Sequence, residues 1–369
     1  MFGLVREKSY ISLFSMSRRN RGEKIDMRKF TLSCLAIIIS LIFGALILWL
    51  MGKDPVAAYM NLLQGSGLME KARYAGRQSM FTDFMSFIDA MTPMIFASLS
   101  VALALKGGFF NIGVSGQMLF AGFVAHMLSL FIPSRILVVI VGFIAGALIG
   151  ALIGWLRYKF NVSEVVSSIM LNSILMYLIT FYINTFYINP VSRQSKSIID
   201  SARLTLSGFR WENLKVDIAL AFPVAIITAL ILHGFIERTT YGYEIKASGL
   251  SPNAAYYAGM NVHRTALMTM TLSGALAGLA GVSYFCGYLA SIQPGVVPSM
   301  GFDAIAVSLL GGNNPLGCVL ASFLITIISK GSIYMSSRQH IEPEIASLIT
   351  AFILTFAACS AFLSRRGKK

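Results

Sequence analysis

Charged residues are scarce in this sequence, and acidic residues are the scarcest of them. Asp, Glu, Lys and Arg make up 12% of the 369 residues, whereas hydrophobic residues make up 56%. A soluble domain carries about 25% charged residues, so this composition excludes an ordinary soluble protein and indicates an integral membrane protein. Lys and Arg outnumber Asp and Glu by 30 to 16. In a membrane protein this excess indicates which loops face the cytoplasm rather than nucleic-acid binding.

Motifs for metal binding and catalysis are also missing. The four cysteines lie in apolar runs without a CxxC pair, and the four histidines lack HxxxH or HExxH spacing, so we expect no disulfide scaffold, metal site or cofactor. No GxxxxGKS or GxxxxGKT motif occurs, so energy from ATP would have to come through another protein. The segment Gly113-Val-Ser-Gly-Gln117 differs from a nucleophile elbow in its final residue. We therefore expect no enzymatic activity.

Apolar runs predict the membrane segments. A bilayer core about 30 Å thick needs roughly 20 apolar residues in a helix. The first run, 31–51, exceeds the core of a secretory signal, which indicates a retained anchor. The run 303–312 has about half the required length and suggests a half-helix. The ten predicted segments are 31–51, 91–105, 107–132, 136–156, 165–187, 218–236, 265–290, 303–312, 316–334 and 344–364.

Loop charges predict the orientation. An even number of segments places both termini on one side, and both termini are basic. Alternating the loops assigns 18 of the 30 Lys and Arg, but only 6 of the 16 acidic residues, to the cytoplasm. The predicted fold is an all-α polytopic membrane bundle. It comprises a basic cytoplasmic tail (1–30), a transmembrane domain (31–364) and a second basic cytoplasmic tail (365–369).

Two outer loops and two glycine stripes complete the predicted bundle. In the loop 54–90, four apolar residues at helical spacing predict an amphipathic helix on the membrane surface: Phe81, Phe84, Met85 and Ile88. The second outer loop, 188–217, is polar. Glycines at 142, 146, 150 and 154, and at 274 and 278, predict close helix packing because they let backbones approach.

A short internal sequence repeat suggests broken helices. Gly107-Gly108 and Gly311-Gly312 are each followed by four residues and another glycine, with apolar helices on both sides. Such irregular backbone is tolerated at membrane depth only where protein or a water-filled cavity satisfies it. Paired breaks at corresponding positions therefore suggest a transport path, although chance or packing also explains so short a match.

Few polar side chains lie within the predicted spans. Asn111 and Gln117 flank the first break and have neutral amides, which suit an uncharged polyhydroxylated solute better than an ion. Glu164 begins a span, where a carboxylate suits the helix dipole. The scarcity of membrane acids argues against proton or sodium coupling, but a secondary transporter that needs no ATPase stays a possible alternative.

The inner loop 237–264 contains helix signals. Ser251 suits a cap, Pro252 the first helical position and Gly259 the position past the end, so we predict two turns over 252–258. The short side chains of Ala254, Ala255 and Ala258 suggest a face that fits a groove of another protein. A surface helix without a partner is the alternative.

Four segments together resemble the permease subunits of bacterial ABC importers for sugars, branched-chain amino acids and nucleosides, and most closely the nucleoside branch. The resemblance runs from about residue 53 to 363. In place of Ser115, members of that branch often carry Glu. The four segments are 104–117, 164–172, 242–259 and 309–317.

The resemblance implies a multi-pass permease of the bacterial plasma membrane. Its expected partners are an ABC ATPase, a second related permease, an extracytoplasmic substrate-binding lipoprotein and membrane lipids, without nucleic acid. The expected substrate is a nucleoside, with a simple sugar such as ribose or galactose as the alternative. The residues expected to line the path are Phe109, Phe110, Asn111, Ser115, Gln117, Asn172, Asn313 and Asn314. Those expected to couple to the ATPase are Glu244, Gly249, Pro252, Asn253, Ala254, Ala255 and Gly259.

Overall fold

A computed structural model describes residues 27–72, 74, 78–211, 214–340, 345, 347–349, 351–352 and 355. The predicted tails, and most of the predicted segment 344–364, therefore lie outside the described residues. Twelve named helices dominate the described chain. They are α1 (Met27–Leu50), α2 (Pro55–Gly65), α3 (Met80–Lys106), α4 (Val114–Ser129), α5 (Arg135–Phe160), α6 (Glu164–Tyr182), α7 (Ala221–Arg238), α8 (Thr240–Leu250), α9 (Pro252–Tyr257), α10 (Val262–Ser283), α11 (Met300–Leu310) and α12 (Pro315–Gln339). Single π-helical turns, Ile183–Tyr187 and Tyr284–Tyr288, extend α6 and α10.

Six described helices are long and apolar enough to cross a membrane: α3, α5, α6 with its π turn, α7, α10 with its π turn, and α12. A seventh crossing is possible if the pair Ile37–Leu50 and Pro55–Gly65, bent by 118°, forms one span. The helices α4 and α11 are apolar but shorter. The prediction of a multi-pass helical membrane protein is confirmed, whereas the number ten and the side of the termini stay predictions.

A β-hairpin corrects the all-α prediction. Strands β1 (Thr205–Trp211) and β2 (Leu214–Ala219) pair antiparallel, with an irregularity between Leu206 and Phe209. The segment Leu-Lys-Val-Asp-Ile-Ala of β2 alternates apolar and polar residues, which is the period of a half-buried strand. The expected polar loop 188–217 thus contains a strand pattern that apolar-run counting does not detect.

The predicted surface helix in 54–90 is wrong. The region Met80–Ala90 is the beginning of α3, and α2 occupies part of the remaining loop. Ser79 caps α3 by a capping box with Thr82. The acids that made this stretch look like a loop are paired: Asp83 with Lys71 at 2.7 Å, and Asp89 with the Thr205 hydroxyl at 2.9 Å.

Helix α5 packs closely on α10 along the predicted glycine stripes. A Cβ added at Gly146 would lie 2.6 Å from Gly278 Cα, and one added at Gly150 would lie 2.9 Å from Gly274 Cα. Any residue larger than glycine at these positions would therefore push the two helices apart. The predicted glycine stripes are confirmed as a contact between two backbones.

Candidate functional site

Both predicted glycine breaks are turns of similar geometry, although Asn313 in the second turn also has a positive φ of +56° and its counterpart Phe109 in the first does not. Gly107 and Gly311 end α3 and α11, and the next residues, Gly108 and Gly312, have φ angles of +77° and +64°, a region that favours glycine. The hydrogen bonds of the two turns also correspond: Phe109 N to Ala104 O (2.9 Å) and Asn313 N to Ser308 O (2.8 Å), Gly108 N to Leu105 O (3.2 Å) and Gly312 N to Leu309 O (3.0 Å). These bonds satisfy carbonyls at the helix ends. The internal sequence repeat therefore corresponds to a repeated turn in the structure.

The first break leads into a buried polar network. The Asn111 amide donates to Gln117 Oε1 (3.0 Å) and to Ser273 Oγ (2.8 Å), and its carbonyl accepts from Gly113 N (3.0 Å). Ser273 in turn bonds with Ser100 of α3, with 3.0 Å between the hydroxyl oxygens. Asn111 and Gln117 are fully buried. In this conformation both amides are hydrogen-bonded to protein partners, and the network connects α3, α4 and α10.

Asn172 and Ser115 lie on the other side of the same helix start. Asn172 accepts from Gly116 N (3.0 Å) and donates to Ile112 O (3.1 Å), which fastens α6 to the beginning of α4. Ser115 is fully buried, and its hydroxyl has no hydrogen-bond partner within the described residues. A Cβ added at Gly301 would lie 2.6 Å from Ser115 N, so the beginnings of α4 and α11 touch.

The remaining predicted path residues are not joined to this network by any hydrogen bond between described residues. Phe109 and Phe110 are half-buried in the first turn. Asn313 accepts from Ser308 Oγ (3.0 Å) in the second turn, and Asn314 caps α12 by accepting from Leu316 N (3.1 Å). These two amides therefore shape the second turn locally.

The loop 237–264 folds into α8 and α9, and α8 rests on the first break. A Cβ added at Gly249 would lie 2.8 Å from Gly107 C, and one added at Gly108 would lie 2.9 Å from Gly249 Cα. In the same loop, Glu244 of α8 accepts a long 3.5 Å hydrogen bond from the Thr265 hydroxyl of α10. The loop and the broken helix are thus in direct backbone contact.

The helix signals in this loop are confirmed. Ser251 caps α9 at Ala254 N (3.4 Å), Pro252 is the first helical residue, and Gly259 has φ +82° after the end. The predicted alanine face is corrected in part, because Ala255 is buried against the protein while Asn253, Ala254 and Ala258 are exposed. Sequence reasoning missed three large exposed side chains here: Leu250 (89% exposed), Tyr256 (66%) and Tyr257 (88%).

Among the described residues, two charged side chains lie inside segments that were predicted as apolar runs. Lys330 of α12 donates to Ser86 Oγ (2.8 Å) and Tyr288 OH (3.2 Å), and its ammonium lies 4.9 Å from the Tyr288 ring centre. Asp303 lies in the first turn of α11 and is half-buried. A charge at a membrane-helix centre costs about 2.5–3.5 kcal/mol, whereas a first-turn acid gains about 0.3–1 kcal/mol from the helix dipole. The dipole alone does not explain Asp303.

Membrane-length helices, the contact between the starts of α4 and α11, and a capped loop resting on the first break are the features that the sequence led us to expect of a transport permease. The chain belongs to the family described as branched-chain amino acid transport system / permease component, whose model matches residues 84–358. It is therefore a multi-pass permease of the ABC transporter class and not an enzyme. The coupling of transport to ATP in this class removes the secondary transporter as an alternative.

Three curated relatives cover most of the chain. The nucleoside ABC transporter permease protein NupB of Lactococcus lactis is 36% identical over 90% of this chain and 91% of its own length. The guanosine ABC transporter permease protein NupP of Bacillus subtilis is 32% identical over 88% of this chain and 92% of its own length. The glucose ABC transporter permease protein TsgB13 of Haloferax volcanii is 26% identical over 90% and 87%.

Proposed function

We propose that this chain is a permease subunit of an ABC importer that forms part of the translocation path for nucleosides in a bacterial plasma membrane. The names of NupB and NupP support nucleosides as substrate, and both relatives match along nearly their whole length. A glucose-type sugar is the second candidate, which the more distant TsgB13 favours. In either case the substrate is a neutral polyhydroxylated solute.

The observation that carries the mechanism is the contact between α8 and the first glycine break. Gly249 lies against the backbone of Gly107 and Gly108, a few residues before the Asn111 network. Movement of α8 therefore acts on the broken helix without an intervening flexible linker. Residues Glu244 to Gly259 would pass the nucleotide-driven motion of an ATPase to the start of α4, where Asn111, Ser115, Gln117 and Asn172 control the path.

The exposed end of this loop supports an ATPase as its partner. Leu250, Tyr256 and Tyr257 protrude from α8 and α9, and large aromatic side chains are favoured anchors of protein interfaces. In the predicted topology this loop is cytoplasmic, together with the tails 1–30 and 365–369. The bundle over 31–364 would pair with a second permease, and an extracytoplasmic binding lipoprotein would deliver the solute to the hairpin side.

Uptake by a reconstituted complex tests the proposal. The chain is co-expressed with its ATPase, second permease and binding lipoprotein, and ATP-dependent uptake of labelled guanosine into proteoliposomes is measured. We expect unlabelled nucleosides to compete and ribose or glucose to have no effect. Competition by glucose alone would establish the sugar alternative. Uptake that persists without the ATPase would contradict the importer mechanism.

A further inference from the structure

A cavity of about 280 Å³ lies beside the hairpin, away from the Asn111 network. The starts of α5 and α7 and part of α10 form its walls, together with Phe96 of α3 and Leu204 at the foot of β1. A hydrogen bond from Leu220 N to Leu204 O (3.0 Å) ties the start of α7 to the hairpin at this place. The cavity lining includes none of the predicted path residues, so the cavity needs an explanation other than transport.

The cavity lining is apolar except for Arg135 and Ser283. The Ser283 hydroxyl already donates to Ala280 O within α10 (2.9 Å), so the interior wall has no side chain that requires a polar occupant. A cavity of about 150 Å³ lined by apolar side chains holds a benzene ring, so this one has room for roughly ten carbon atoms. Its interior therefore suits a hydrocarbon chain.

The cavity opens sideways on the outer surface of the bundle. At its rim, Ile136 is 75% exposed, Ile140 48% and Val224 44%, whereas Leu204 and Val282 at the back are buried. The rim residues belong to α5 and α7, two helices long enough to cross a membrane. From Arg135 to Ile140 the cavity follows α5 for about 7.5 Å, the depth of the boundary between lipid headgroups and acyl chains.

One end of this cavity carries a positive charge. Arg135 is the first residue of α5, and its Nε donates to Arg203 O (3.0 Å). Within the described residues its guanidinium makes no other hydrogen bond and no ion pair, although it has five N–H donors. Ser134 caps α5 without a side-chain hydrogen bond, so the N–H groups of the helix start add to the attraction for an anion.

We propose that this cavity binds a phospholipid, with the phosphate at Arg135 and the upper part of one acyl chain between α5, α7 and α10. The pairing of a cation with an apolar cavity matches a lipid, because a guanidinium binds phosphate oxygens in pairs while the chain fills the interior. The last described residues of the chain do not occupy this place, since the Phe352 ring lies against Phe43 of α1 at 5.4 Å. Binding of this lipid is independent of the transported solute.

Photolabelling in nanodiscs tests this site. The complex of the chain with its ATPase and second permease is placed in phosphatidylglycerol nanodiscs that contain a phosphatidylglycerol with a diazirine in the upper half of one acyl chain. After irradiation, mass spectrometry locates the labelled residues. We expect adducts on exposed Ile136 and also on Val282 at the back of the cavity. Diacylglycerol with the same diazirine chain lacks the phosphate and should label Val282 about tenfold less, the factor that a charge-assisted hydrogen bond contributes.

Three variants separate the charge from the cavity. Arg135→Gln keeps an N–H donor for Arg203 O but loses the charge, and it should lower Val282 labelling by phosphatidylglycerol about tenfold, whereas Arg135→Lys should retain it. Ala221→Phe fills the cavity and should remove Val282 adducts while Ile136 stays labelled. Arg193→Gln, which changes an exposed arginine before the hairpin, is the matched control and should label as the unmodified complex does.

The pattern of labelling decides between a bound lipid and its alternatives. Labelling of Ile136 without Val282 would show that lipid stays on the bundle surface, and this result would overturn the inference. Equal labelling of Val282 by both lipids, or by Arg135→Gln and the unmodified complex, would overturn it too, because the phosphate would then have no role. Absence of adducts at both residues would assign the cavity to the second permease and would likewise reject the lipid.

Discussion

Replacement of Gly249 by alanine is the most direct test of the link between the inner loop and the broken helix. The added Cβ would lie 2.8 Å from both Gly107 C and Gly108 N, whereas ordinary van der Waals contact begins at 3.4 Å. Lys106 O would be nearer still, 2.2 Å from the added Cβ. Because all three neighbours are backbone atoms, α8 and the break must separate by about 1.2 Å, the difference between 3.4 and 2.2 Å, and overpacking of this kind costs about 1–3 kcal/mol. We expect α8 to lose its close backbone contact with the turn.

The measured quantity is ATP-dependent uptake at equal permease content in the membrane. If the 1–3 kcal/mol opposes the conformation that couples ATP to transport, the rate should fall by roughly five- to a hundredfold, since 1.4 kcal/mol corresponds to a factor of ten. Gly234→Ala is the matched control, because the same methyl group meets no atom within 4 Å on α7. ATPase activity stimulated by the binding protein should fall together with uptake. Unchanged uptake by Gly249→Ala would refute the mechanical link.

Three further predictions follow from the same structure. Alanine at both Leu250 and Tyr256 should reduce co-purification of the ATPase by about tenfold, since buried aromatic anchors often contribute more than 1 kcal/mol to binding. Tyr177→Ala, which changes an exposed ring on α6, is the control. Undiminished co-purification would place the docking surface elsewhere. Asn111→Ala leaves Gln117 and Ser273 without their shared partner, which should lower the free energy of unfolding by about 1–3 kcal/mol and reduce the thermal midpoint of the purified permease. Alanine at the exposed Asn184 is the control and should leave the midpoint unchanged. Equal midpoints for both variants would show that the Asn111 network does not hold these helices together. A fluorescent protein after Lys369 should fluoresce and alkaline phosphatase inserted between β1 and β2 should be active; the opposite pattern would invert the topology.

Local chemistry made part of the site predictable. A pair of glycines after an apolar helix specifies a turn with positive φ, and both turns formed where the sequence placed them. Ser251, Pro252 and Gly259 likewise determine α9 by capping, which needs only neighbouring residues. These features depend on contacts a few residues apart, so one sequence suffices to predict them.

Features that depend on distant partners were missed. Asp89 looks like a loop residue until Thr205 of the hairpin is placed beside it, although it lies within α3, which begins at Met80. Asn111 and Gln117 suggested free amides, yet Asn111 donates to Ser273, more than 150 positions away, as well as to Gln117. Counting apolar runs also overlooked single charges such as Lys330, whose partners Ser86 and Tyr288 lie on other elements of the bundle.

The two glycine turns have corresponding hydrogen bonds but different surroundings, and the difference decides what each can do. The first turn is covered by α8, and the chain after it enters the Asn111 network. The second is not covered by α8: a Cβ at Gly312 meets nothing within 4 Å, and one at Gly311 would meet only the start of α12, 2.6 Å from Cys318 N. The chain then leads through the Asn314 cap straight into α12. A push on α8 therefore reaches the first turn alone. Since the starts of α4 and α11 touch at Ser115 and Gly301, displacement of the first turn is passed to the start of α11 at Gly301.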